Sequence, residues 1–108
     1  GYHLAERLLR EGRRVVGLDN LNDYYDVSLK RARLDELKKH TGFTFAEVDL
    51  ADMAALRTLF AEHKFELVHH LAAQAGVRYS LTNPNAYVRS NLDGFVNVLE
   101  CCRHGGVK

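Results

Sequence analysis

Two carboxylates in this sequence are placed where they could do chemistry. Asp19 closes the apolar run Val15-Val16-Gly17-Leu18, eighteen residues after Gly1, and Asp49, with Leu50 beside it, closes Phe43-Thr44-Phe45-Ala46-Glu47-Val48. An ionised carboxylate accepts hydrogen bonds and donates none, so it can take a pair of hydroxyls or an exocyclic amine. Each Asp also has a plainer reading as a loop or capping residue, and neither decides alone. A third feature is the run of small residues in Leu71-Ala72-Ala73-Gln74-Ala75-Gly76, where another group can approach the backbone closely. Gly1 stands directly before helical sequence, where it would let an anion and a strand approach the helix start. A lone glycine is no fingerprint, however. Cys101 and Cys102 are adjacent, and helix neighbours bridge only with strain, so they read as reduced, partly buried thiols of a cytosolic protein. Six His without a second cysteine pair make no zinc pattern, and no metal is expected.

The elements that must position these residues follow from periodicity. Leu4, Ala5, Leu8 and Leu9 predict a helix over 2–11, stopped by Gly12 with Arg13 and Arg14 at its negative end. Residues 15–18 read as a strand buried on both faces, and 20–26 as a loop rich in Asn, Asp and Tyr. A helix over 28–39 would be capped by Ser28. Residues 43–48 alternate as a strand, 52–63 form a helix carrying Met53, Leu56, Leu59 and Phe60, and 65–71 read as a further strand. Asn83-Pro84 opens a long helix to about Arg103, ended by Gly105-Gly106, and Val107 reads as the start of another strand. Strands and helices alternate in units of roughly 30 residues, which predicts an α/β fold: one domain with a doubly wound parallel sheet.

Composition excludes several classes. Fifteen basic residues against fourteen acidic ones leave a formal charge of +1, too little surplus for a nucleic-acid binder. No apolar run approaches the roughly 18 residues of a membrane span. The first ten residues, with Glu6, Arg7 and Arg10, do not read as a signal peptide.

In doubly wound sheets ligands bind beyond the carboxyl ends of the strands. At Asp19 a carboxylate would accept from both ribose hydroxyls of an adenosine and repel a 2′-phosphate, which favours NAD over NADP. Asp49 and Leu50 would suit the adenine, through its exocyclic amine and its ring face.

These blocks also carry a likeness. Gly1-Tyr2-His3-Leu4, Asp19-Asn20, Asp49-Leu50, His70-Leu71-Ala72-Ala73 and Ser90-Asn91-Leu92-Asp93-Gly94 resemble the NAD-dependent nucleotide-sugar epimerase/dehydratase family, the extended short-chain dehydrogenases, across the whole chain. Asp19-Asn20-Leu21-Asn22-Asp23-Tyr24-Tyr25-Asp26 and Ala72-Ala73-Gln74-Ala75-Gly76-Val77-Arg78-Tyr79-Ser80 resemble the UDP-glucuronate 4-epimerases within it.

The resemblance implies a Rossmann-like fold and the roles of single residues. Gly1 would be the last glycine of the turn under the NAD pyrophosphate, Asp19 and Asn20 the ribose contacts, and Asp49 and Leu50 the adenine contacts. Leu71, Ala72 and Ala73 would pass the nicotinamide ribose, Asn91 would support the cofactor site, and Arg78 would face an anionic UDP-sugar substrate. Arg78 also reads as a solvated loop cation. His69 and His70 face opposite ways on one strand and read as structural, Tyr79 and Tyr87 as packing, and Lys30-Arg31-Arg33 with Lys38-Lys39 as a solvated helix face.

The family's reaction needs a Tyr with a Lys four residues later. Here the five Tyr are followed at that spacing by Glu6, Ser28, Leu29, Asn83 and Asn91, so no catalytic residue is assigned within the chain. By the resemblance, residues 1–108 are part of an NAD-binding domain whose first strand and C-terminal part lie elsewhere, inactive alone and homodimeric when full length. The strands at Val15 and Phe65 would then flank an empty slot. The piece alone is expected to be marginally stable and to bind NAD weakly. Other readings are a sugar-nucleotide 4,6-dehydratase, an NAD-sensing module without catalysis and, disfavoured by the two Asp, a flavodoxin-like binding domain.

Overall fold

The computed structural model describes residues 1–107. The order is α1 (Tyr2–Arg10), β1 (Val15–Asp19), α2 (Val27–Lys38), β2 (Phe43–Glu47), α3 (Met53–Glu62), a 3₁₀ turn (Arg78–Leu81), α4 (Pro84–Tyr87), a π-helical segment (Val88–Asp93) and α5 (Gly94–Gly105). The chain divides into two compact units, Gly1–Glu47 and the residues from Val48 onward.

The first unit is built on a parallel pair of strands. β1 and β2 run in register from Val15 opposite Phe43 to Asp19 opposite Glu47, so both strands end at one edge. Parallel strands need a crossover, and α2 supplies it. Leu9 of α1 and Leu37 of α2 are the buried residues of this unit. α1 stops at Gly12, whose φ of 80° is open to a residue without Cβ, while the Gly12 and Arg13 amides return to Leu9 and Leu8 carbonyls. Val15–Leu18 are half-buried rather than covered on both faces, because one neighbouring strand and the packed helices leave part of their surface open. The cap of α2 is Asp26, not Ser28. Its Oδ1 accepts from the Ser28 amide at 2.8 Å and from Ser28 Oγ at 2.6 Å, and Asp can serve two donors where Ser offers one short arm.

The second unit is helical. Asp52 caps α3 by accepting from the Ala55 amide, and Leu56, 1% exposed, packs with Val98 and Cys101 of α5 in its core. The long helix expected from Asn83-Pro84 is present with a wider π turn inside it. It closes at Gly106, whose φ is 67°, with the Val107 amide donating to the Cys102 carbonyl. The thiols of Cys101 and Cys102 are free, and burial pushes both above the usual thiol range, which keeps them protonated and unreactive near neutral pH.

One expected strand does not form. Residues 65–71 carry no ladder, since a strand exists only against a partner and none among the described residues pairs with them; Leu67 and Leu71 stand 61% and 62% exposed. Alternation survives locally: His69 is exposed while His70 turns toward the Phe95 ring at 5.4 Å. Val107 likewise pairs with no strand among the described residues.

Candidate functional site

In the first unit Asp19 ends β1 with Asn20 next to it, and Gly1 stands directly before α1. No side chain caps α1, its first turn holds no acid, and a Cβ built on Gly1 would meet nothing within 4 Å. Open amides and open space suit an anion.

The loop after β1 is built by side chains that fold back on the backbone. Asp19 Oδ1 accepts from the Leu21 amide at 2.7 Å, and Asn20 Oδ1 accepts from the Asn22 amide at 3.2 Å. Between these two bonds Leu21 takes a φ of 49°, a left-handed conformation that costs energy for a side chain with Cβ and persists because both neighbours hold it. Lys30 completes the loop. Its Nζ donates to the Asn22 carbonyl at 3.0 Å and to Asn22 Oδ1 at 3.2 Å, and it forms an ion pair with Asp19 at 3.6 Å.

Lys30 was thus misread as part of a solvated face. Two other cations of that run also lie against rings: the Arg33 guanidinium is 5.7 Å from the centre of Tyr2, and Lys38 Nζ is 5.9 Å from that of Phe45. Helical spacing from Asp26 could have placed Lys30 on the first turns of α2, facing the loop. Charge counting alone could not.

In the second unit the π segment is the organising element. Arg89 reaches back to Asp49 Oδ2 at 3.1 Å, while Asp49 Oδ1 accepts from the Ala51 amide. Asn91 clamps one residue of the loop, accepting from the Gln74 amide at 2.8 Å and donating to the Gln74 carbonyl at 3.1 Å. That is the pattern of a ladder pair, made by a side-chain amide. A π turn carries an extra residue, and such turns are frequent at functional sites. Tyr87 donates from its hydroxyl to the carbonyls of Ala75 and Gly76, and Tyr79 accepts from Asn83 Nδ2 at 2.9 Å. Both tyrosines thus hold this stretch of chain, as packing roles would have it.

Leu50 is fixed through its backbone and its Cβ. Asn97 donates to its carbonyl at 2.9 Å, and a Cβ built on Gly94 would come within 2.9 Å of Leu50 Cβ. Only glycine fits at 94 without moving Leu50. Leu71, Ala72 and Ala73 are exposed, and Arg78 begins the 3₁₀ turn with its side chain in solvent. Asp49, Asn91 and Gln74 are brought to one helical segment. Arg89, the partner of Asp49, is the residue that the sequence reading missed; its spacing from Asn91 offered no signal, since both lie within the π turn.

The GDP-mannose 4,6 dehydratase family model matches residues 1–108. A UDP-glucuronate 4-epimerase of Thermodesulfobacterium geofontis is 51% identical over 108 residues, all of this chain and 33% of that protein. UDP-glucuronate 4-epimerase 4 of Arabidopsis thaliana is 53% identical over 103 residues, 95% of this chain and 23% of that protein. Among solved structures, a Thermus thermophilus UDP-glucose 4-epimerase in complex with NAD superposes with a TM-score of 0.83 at 36% identity, covering all of this chain and 32% of the other. The chain spans about a third or less of the length of these relatives. The truncated, Rossmann-like α/β reading stands with them, and the chain belongs to the GDP-mannose 4,6 dehydratase family, with UDP-sugar 4-epimerases among its relatives.

Proposed function

We propose that these residues are the cofactor-binding part of a UDP-glucuronate 4-epimerase that interconverts UDP-glucuronate and UDP-galacturonate through a 4-keto sugar. The observation that carries this reading is the 51% identity to a UDP-glucuronate 4-epimerase over the entire chain. The family model is described by a dehydratase, and the epimerase reading follows the relatives rather than that description.

The donor set fits NAD. The uncapped amides of α1 and the open space at Gly1 suit its pyrophosphate, and the Asp19 carboxylate, half exposed, suits two ribose hydroxyls with Asn20 beside it. Asp49 and Leu50 are assigned to the adenine. Asn91, by holding the Gln74 backbone, positions the exposed stretch Leu71-Ala72-Ala73 that would pass the nicotinamide ribose. Arg78, free in solvent, is assigned to the anionic sugar nucleotide. NAD supplies the hydride acceptor for the sugar C4. In this reading the Tyr and Lys that move the proton come from outside residues 1–108, and the chain alone is inactive.

Two further parts of the proposal concern setting. Two free, protonated thiols on α5 suit a reducing cytoplasm, and no helix among the described residues is long and apolar enough to cross a membrane. The long helical run through α4, the π segment and α5 keeps Val96 and Leu99 about half exposed, which supports pairing of two copies of the full-length protein.

The test is an assay of the full-length protein with UDP-glucuronate and UDP-glucose in parallel. Formation of UDP-galacturonate is expected. Turnover of UDP-glucose alone would refute the substrate, and loss of water from the sugar would make the protein a dehydratase.

A further inference from the structure

Lys30 donates its hydrogen bonds to the loop and meets the carboxylate beside it only as an ion pair. Both of its hydrogen bonds go to Asn22, at 3.0 Å and 3.2 Å, and Asn22 is itself fixed by Asn20 Oδ1 and by the left-handed turn at Leu21. Asp19 lies 3.6 Å away, close enough to attract and too far for a hydrogen bond. An ammonium has three donors, so one remains uncommitted. The Lys30 side chain is 21% exposed and that of Asp19 49%, so the carboxylate is the more open of the two to solvent.

Taking this edge as the adenosine-ribose site, as proposed above, we propose that Lys30 is a masked specificity residue. It is a ready-made cation for a 2′-phosphate, cancelled by Asp19, so that the choice of NAD over NADP rests on a single carboxylate. With Asp19 present, the pair carries no net charge, and a phosphate of nearly two negative charges would meet the acid at the ribose edge. Without that acid the cation is unopposed and already in place, because neither of its hydrogen bonds involves Asp19. Serine is the informative replacement at 19. Its hydroxyl can still accept from the Leu21 amide and keep the turn, while bringing no charge.

The experiment measures binding of NAD and NADP by calorimetry to the full-length protein, its Asp19→Ser variant and the double variant Asp19→Ser with Lys30→Met. Thermal melts of the same samples establish folding. The wild type is expected to bind NAD and discriminate against NADP. Asp19→Ser should tighten NADP binding at least tenfold, with a gain that shrinks as salt is raised. Adding Lys30→Met should abolish that gain, whereas Lys30→Arg should keep it. A gain that survives Lys30→Met, or no gain in a folded Asp19→Ser variant of a protein that binds NAD, overturns the role of Lys30. A folded wild type that binds no NAD overturns instead the dinucleotide reading on which the inference rests.

Discussion

In the first unit, main chain holds main chain: residues 15–19 lie against 43–47 in an unbroken parallel register. In the second, the stretch between α3 and the 3₁₀ turn has no ladder, and particular side chains hold it. Asn91 grips Gln74, Tyr87 grips Ala75 and Gly76, and Asn97 grips Leu50 just before α3. The difference decides what a substitution can do. A ladder uses groups that every residue but proline carries, so most side-chain changes leave it intact. A backbone held by an amide or a phenol loses its partner with one codon. The stretch 74–76 of the second unit is of the second kind.

Breaking the core of the second unit should have the largest effect. Leu56→Ala removes its most buried side chain and should cost about 2–5 kcal/mol, read in the denaturant midpoint of the full-length protein. Amide exchange should speed up in 53–62 and 94–105. A loss below about 1 kcal/mol would mean that α3 and α5 do not share a packed core.

Asn91→Ala should come next, at about 1–3 kcal/mol, because it strips partners from both the amide and the carbonyl of Gln74. Asn91→Asp sharpens the point: a carboxylate can still accept from the Gln74 amide but cannot donate to its carbonyl, so it should recover only part of the loss. Exchange at the Gln74 amide checks both variants. Equal protection in the wild type and Asn91→Ala would show that the clamp holds nothing.

The smallest effect belongs to the first unit. The hydroxyl and then the amide of Ser28 hold the Asp26 carboxyl below the usual carboxylate range. A lowered value stabilises the folded form above the unfolded pKa, near pH 4, and that contribution fades as pH falls through the folded value. Fraying at the start of α2, followed by backbone NMR shifts of 26–30, should therefore set in on acidification. Asp26→Asn should remove this dependence, and persistence of the same acid transition in that variant would assign it to another group.

Legibility in the sequence follows the same division. The first unit could be read almost residue by residue, since helical spacing in 2–11, the apolar run before Asp19 and alternation in 43–48 are local patterns with local causes. The α2 cap was placed two residues late, because Asp26 and Ser28 both cap well and only geometry shows which serves. The strand at 65–71 was read from alternation that is real, but alternation states which side chains share a face and not whether a partner strand lies alongside. The π turn was invisible: it has no composition of its own, and it shifts where Arg89 and Asn91 point.

By itself the sequence determined the helices and strands of the first unit, the helices of the second, the stops at Gly12 and Gly106, and the placing of two carboxylates just past strand-like runs, because periodicity, capping chemistry and left-handed glycines act over a few residues. Only the tertiary structure decided which strands pair, that Asp49 is already engaged by Arg89, that Asn91 stands in for a missing ladder, and that Lys30 is tied to Asn22 beside Asp19 rather than left in solvent. Those are meetings between residues eight to forty positions apart. No local preference encodes them, since each depends on where the whole backbone has already been placed.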